Sequence, residues 1–122
     1  MRIYIAGPMS DLPYFNYPAF DRAARELRSL GHEVFSPAER DRERDGVDWG
    51  EAVPDGDQKV AIARGFKLRD ALGDDLAWIC AYADAIALLP GWEQSGGARA
   101  EWAAAATLRL KMIYFPDDLE AV

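Results

Sequence analysis

Cysteine is nearly missing from this chain. Cys80 stands alone, which excludes an intrachain disulfide and any cysteine-rich metal site. Its apolar neighbours predict a packed core thiol. Histidine is as scarce, with His32 the single example, expected at the surface ahead of a short strand. Basic residues are in deficit: 14 Lys and Arg against 21 Asp and Glu give a formal net charge of -7. That balance opposes binding to polymeric nucleic acid and to an anionic membrane surface. A local anion site stays open, because a helix N-terminus supplies positive potential without a basic side chain. No apolar run approaches the length of a membrane span, and the first residues enter a strand pattern without the organisation of a signal peptide. A soluble protein of the reducing cytoplasm is the expectation. Internal repeats and low-complexity tracts are also lacking.

What is there suffices for one domain. A chain of 122 residues, 50% of them apolar, suits a single compact unit with one core. Its most organised stretch runs from Asp84 to Glu101. Ala85 to Leu89 reads as a buried strand stopped by Pro90 and Gly91, and Ser95-Gly96-Gly97 then opens an Ala-rich helix carrying Glu101. Strand, loop and helix in this order aim backbone N–H groups and the positive end of a helix dipole at the carboxyl edge of a sheet. Gly97 and Glu101 share a helix face, and helical side chains lean toward the N-terminus. The absent side chain at Gly97 leaves room above the Glu101 carboxylate. This predicts a small-molecule pocket with an acid at its floor.

The rest of the chain alternates strands with helices. Arg2 to Ala6 is a short strand that Gly7-Pro8-Met9-Ser10 breaks at once, and Asp11 to Tyr17 is irregular. A helix starts at Asn16 or Tyr17 with Pro18 in its first turn; Phe20, Ala23, Ala24, Leu27 and Leu30 make its apolar face, and Gly31 ends it. His32 to Ser36 is a second strand, stopped by Pro37. From Glu39 to about Asp57 alternating charges with Gly46, Gly50, Pro54 and Gly56 read as a mobile loop, either a lid or a solvated insertion. Lys59 to Ala83 carries Ile62, Phe66, Leu68, Leu72, Leu76, Ile79 and Cys80 at roughly helical spacing. Gly73 is the expected weak point there, with Asp74 capping a second segment. Gly97 to about Leu110 is a third helix and Met112 to Phe115 a fourth strand.

This alternation predicts an α/β fold: a single-domain doubly wound parallel sheet of four or five strands, Rossmann- or flavodoxin-like, with helices on both faces. Ligands in such sheets bind at the carboxyl ends of the strands, where the strand order reverses. With the first and third strands as neighbours, the Gly7 loop and the Trp92 to Gly97 loop meet in one pocket.

Four segments together resemble the nucleoside 2-deoxyribosyltransferase-like superfamily, in particular an uncharacterised, phage-associated branch. They are Tyr4-Ile5-Ala6-Gly7-Pro8-Met9; Gly31-His32-Glu33-Val34 with Pro37; Asp75-Leu76-Ala77-Trp78-Ile79-Cys80 ahead of Asp84-Ala85-Ile86; and Leu89-Pro90-Gly91-Trp92-Glu93-Gln94-Ser95-Gly96-Gly97-Ala98 followed by Glu101. The likeness covers nearly the whole chain except the charged loop. It implies cleavage or exchange of the N-glycosidic bond of a nucleoside or nucleotide, through a glutamate nucleophile and without a cofactor. By the resemblance Glu101 is that nucleophile, Tyr4 the tyrosine that orients it, and Asp75 the acid that contacts sugar or base. Gly7, Pro8 and Met9 line the site. Transferases of free nucleosides carry an acid six positions before the nucleophile; related nucleotide N-hydrolases carry a serine there that helps hold the 5′-phosphate. Ser95, with Gly96 and Gly97, therefore leans toward a 5′-monophosphate. A homodimer or higher homo-oligomer is also implied, and Trp102 offers an apolar contact for it.

The chemistry fits those residue types. Glycosidic cleavage passes through an oxocarbenium-like state, so it needs a carboxylate at the anomeric carbon and a proton for the leaving group. Glu101 supplies the first and Asp75 is the best candidate for the second. Each residue also has a plainer reading: Glu101 as a solvated helix residue, Tyr4 as core, Trp92 as loop packing rather than a surface for base stacking. Asp84 is either a cap or a site residue. Asp45, Asp48, Asp55 and Asp57 lack the spacing of a metal-binding loop, and no metal is expected.

Overall fold

Four short strands, β1 (Arg2–Ala6), β2 (Glu33–Phe35), β3 (Ala85–Leu88) and β4 (Lys111–Tyr114), pair entirely in parallel in the order β2-β1-β3-β4. The structure, a computed structural model, describes residues 1–122 apart from the Ala121 side chain. The two inner strands are the apolar runs: Ile3 to Ala6 and all of β3 are buried, as a parallel sheet covered on both faces requires. Ile3 stands opposite Ala85 and Ala6 opposite Leu88, so β1 and β3 end level and their loops leave side by side.

Six helices accompany the sheet: α1 (Tyr17–Ser29), α2 (Pro37–Asp45), α3 (Trp49–Ala52), α4 (Gln58–Ala63), α5 (Leu68–Tyr82) and α6 (Gly96–Thr107). On one face α1 buries Phe20, Ala23, Ala24 and Leu27 in the same core as Ile3 and Ile5. On the other, Ile79 of α5 and Ala98 and Ala105 of α6 pack with Tyr4, Ala6, Ile86 and Leu88. The helices that follow β1 and β3 thus lie on opposite faces, and strand order reverses between those two strands. This is the doubly wound arrangement expected from the alternation of elements.

The segment from Glu39 to Asp57 departs from the expected mobile loop. Pro37 sits in the first turn of α2, no breaker follows until Gly46, and Gly46 ends the helix at φ +65° with its N–H on the Arg42 carbonyl at 2.9 Å. The alternating charges are ion pairs rather than a solvated run. Arg42 grips Asp21 of α1 through two bonds of 2.9 Å and Asp48 at 2.7 Å. Gly50 and Gly56 are close-packing glycines: a Cβ on Gly50 would come within 2.7 Å of the Tyr14 carbonyl oxygen, and one on Gly56 would strike the Leu12 backbone. Asp11 N–H to Gly56 and Tyr14 N–H to Pro54, both 2.8 Å, fasten the two segments together.

Other expectations shift for similar reasons. The break between α4 and α5 falls at Gly65, at φ +113°, while Gly73 lies inside α5. Asp74 caps nothing and accepts instead from Arg40 and Arg44. The inward face of α5 is Ala71, Asp75 and Ile79, which turns Cys80 outward, so this thiol is exposed rather than packed in the core. Leu30 lies past the end of α1 and is likewise exposed. His32 is half-buried rather than a free surface residue, with Nδ1 accepting from the N-terminal amine at 3.1 Å. Among the described residues, no helix is long and apolar enough to cross a membrane.

Candidate active site

The loops after β1 and β3 are fitted to each other by glycine. A Cβ on Gly7 would stand 2.8 Å from the Leu89 Cβ, and one on Gly91, which is at φ +88°, would stand 3.2 Å from the Pro8 ring. Between these loops and the helices around them opens a cavity of about 520 Å³, within the size range of small-molecule sites. Gly7, Pro8 and Met9 line it from the first loop, and Ser95, Gly96 and Gly97 from the second. The two glycine-marked loops form one pocket, as their placement in the sequence predicts.

Ser95 starts α6 because its Oγ accepts the Ala98 N–H at 3.2 Å. The N–H groups of Gly96 and Gly97 have no carbonyl one turn earlier in the helix to receive them. A Cβ on Gly97 would meet nothing within 4 Å, so this position is open toward the cavity. One turn further on, Glu101 is only 6% exposed and its Oε2 accepts the Tyr4 hydroxyl at 2.7 Å. This geometry excludes the solvated helix residue; Tyr4 is a core residue that does not line the cavity and meets the site through its hydroxyl on Glu101. From α5, Asp75 reaches the same wall; it is 7% exposed, and its buried Oδ1 has no hydrogen-bond partner.

Burial sets the electrostatics. It pushes Glu101 well above the ordinary carboxylate range, and the nearby Asp75 pushes it further, while the Tyr4 hydrogen bond pulls it back. Asp75 is raised by burial first and by Asp41 second. Tyr4 is raised by burial and by both acids. Two buried carboxyl groups this close do not both ionise readily, so loss of the second proton is displaced above the ordinary carboxylate range. The site therefore places a proton donor beside a carboxylate.

Not every expected residue is there. Trp92 lies outside the cavity wall: the turn Trp92–Gln94 directs its ring onto Trp102, with centroids 5.7 Å apart, and toward Tyr114 at 6.4 Å. It is loop packing, not a base-stacking surface. Asp84 sits at the amino end of β3, away from the site, and accepts the Arg2 N–H at 2.8 Å as a structural cap. Conversely, Pro37, Gln58, Phe66, Leu68, Leu72 and Gln94 all line the cavity, and sequence reasoning missed them. The end of β2 at Pro37 was recoverable from sheet topology. Gln58 was hidden by reading the segment before it as a loop, and Phe66, Leu68 and Leu72 by counting them only as apolar positions of one helical run.

Fold and site together define a class: a small doubly wound α/β protein with a buried carboxylate pair at the switch point of its sheet. A family model described as a domain of unknown function, DUF4406, matches residues 1–114, and the chain belongs to that family. No curated protein and no solved structure matches it.

Proposed function

We propose that this protein is an N-glycosidase or deoxyribosyltransferase-like enzyme that cleaves or exchanges the N-glycosidic bond of a nucleoside or (deoxy)nucleoside 5′-monophosphate. The observation that carries the reading is the buried Glu101 carboxylate, held by Tyr4 at 2.7 Å on the wall of a cavity that also receives Asp75. The sequence resemblance to nucleoside deoxyribosyltransferases supports it independently.

In the proposed reaction a Glu101 oxygen attacks the anomeric carbon and forms a glycosyl ester. The bond to the base nitrogen breaks, its electron pair stays with the base, and the proton on Asp75 neutralises it. Water or a second base then displaces Glu101, and Asp75 takes up the proton released by that nucleophile. The free N–H groups at the start of α6 suit a 5′-phosphate, which the helix dipole also favours. Such substrates belong to the cytoplasmic nucleotide pool, and a homo-oligomer is part of the proposal.

The test is free-base release from ribo- and deoxyribonucleosides and their 5′-monophosphates. Release that disappears in Glu101→Gln supports the reading; no release from any of them, or equal release by the variant, overturns it. One observation favours a second reading, a nucleotide-binding module without turnover: burial raises the proton affinity of both carboxyl groups, and a neutral Glu101 does not attack. Tight nucleotide binding with no product, unchanged in Glu101→Gln, would select that reading.

A further inference from the structure

Behind the main cavity lies a side chamber of about 40 Å³ that the proposed reaction leaves unused. Met9, Ser10, Gln58 and Phe66 belong to the walls of both spaces, so the chamber lies directly against the main one. Water needs roughly 10–15 Å³ by such a measure. The chamber is therefore larger than a single water requires but far smaller than a pocket for a whole ligand. It suits a substituent and the ring edge that bears it.

Phe15, Tyr17, Trp49 and Phe66 make the aromatic part of its wall, Ser10 and Gln58 add uncharged polar groups, and the charged group among its lining residues is Asp41, only 4% exposed. This carboxylate is held on two sides. Oδ1 accepts from Arg44 Nη2 at 3.0 Å, and Oδ2 accepts from the Tyr17 hydroxyl at 3.3 Å. A carboxylate oxygen takes two hydrogen bonds, so each still has one position to fill, and an ionised carboxylate only accepts. An incoming group that satisfies it is a hydrogen-bond donor, such as an N–H. A carbonyl in the same place would set acceptor against acceptor and leave both without partners.

We propose that Asp41 is a specificity determinant: the side chamber admits the exocyclic amino edge of a cytosine- or adenine-type base whose sugar lies over Glu101. The inference rests on the nucleotide reading given above. It adds a selection against keto bases, which that reading does not contain.

Equilibrium binding to the wild type and to Glu101→Gln tests it, with cytidine against uridine 5′-monophosphate and adenosine against inosine 5′-monophosphate. The amino member of each pair should bind about 10- to 100-fold more tightly. The N,N-dimethylated amino analogues, which lack the donor, should lose that advantage. Asp41→Asn, whose amide both donates and accepts, should flatten the preference to within about threefold. Equal affinity of the wild type for amino and keto nucleotides overturns the proposal, as does a preference that survives in a folded Asp41→Asn protein. The dimethylated analogues test the unsubstituted protein and decide the matter should Asp41→Asn fail to fold. Amino preference without any base release would uphold Asp41 and overturn the glycosidase step. Absence of nucleotide binding would overturn both.

Discussion

Arg44 joins Asp41 to Asp74: Nη2 donates to Asp41 at 3.0 Å and Nη1 to Asp74 at 3.3 Å. Since Asp74 precedes Asp75 on α5, this guanidinium ties α2 to the helical turn that presents the second acid of the site. Asp41 would be left buried without a cation in Arg44→Met, and the variant should lose about 3 kcal/mol of unfolding free energy. Replacing both partners, Arg44→Met with Asp41→Leu, should restore much of it. Chemical denaturation of the three proteins checks this; a double variant no more stable than the single one would count against the pair.

The paired acids set a pH dependence. The proposed turnover needs one of them ionised and the other protonated, so the rate should be bell-shaped in pH. Asp75 is one of the causes that raise Glu101. In Asp75→Asn the acidic limb of any remaining activity should therefore move to lower pH, and the maximum should fall by about 10²- to 10⁴-fold. Stability should follow the same proton. Asp75 binds it more tightly folded than unfolded, so its contribution is complete below the ordinary carboxylate value of 3.8 and is lost as pH rises to about 7. Asp75→Asn should accordingly gain stability relative to the wild type across that window; a pH-independent difference would refute the assignment.

Tyr4→Phe separates orientation from mere packing. The ring is fully buried and its hydroxyl is the donor to Glu101 Oε2. Its loss leaves a buried acceptor unpaired, with an expected cost of about 1–3 kcal/mol in thermal or chemical unfolding. The Tyr4 bond also lowers the proton affinity of Glu101, so the acidic limb should move to higher pH, opposite to Asp75→Asn. Shifts in the same direction would argue against the shared network.

Gly7 and Gly97 should respond in opposite ways to the same methyl group. Gly7→Ala forces a Cβ into Leu89 at 2.8 Å and should cost about 1–3 kcal/mol while loosening the fit between the two loops. Gly97→Ala meets open space in the first turn of α6 and should stabilise the helix by up to about 1 kcal/mol. The added methyl projects into the cavity and should raise KM or weaken nucleotide binding. Melting curves beside substrate titrations settle both; a destabilised Gly97→Ala would show that the position is packed.

The inner strands and the loops between them were legible because parallel strands covered on both faces must be apolar runs, and Gly7, Gly91 and Gly97 marked where they end. Glu101 and Tyr4 followed from that frame together with the family resemblance. Helix α2, which brings Pro37 to the cavity and Asp41 to the side chamber, was not legible, because a helix made of Glu, Arg and Asp has no apolar stripe for periodicity to detect. Ser36-Pro37 and Gly46 did carry start and stop signals for α2. They were outweighed by charge alternation that reads as solvated and is in fact cancelled by pairing across α1, α3 and α5. Trp92 failed for another reason: the direction of a loop aromatic is set by the turn that carries it, and that turn was invisible without coordinates.

The amides that open α6 and Glu101 lie on one helix, a single turn apart, or about 6 Å along the axis. Whatever spans them is gauged by the pitch of α6 rather than by the flexibility of a loop. Under the proposed nucleotide reading, molecules whose charged group and reactive carbon are separated by one five-membered ring match that spacing, and chain-extended or ring-expanded analogues should be turned away by length alone.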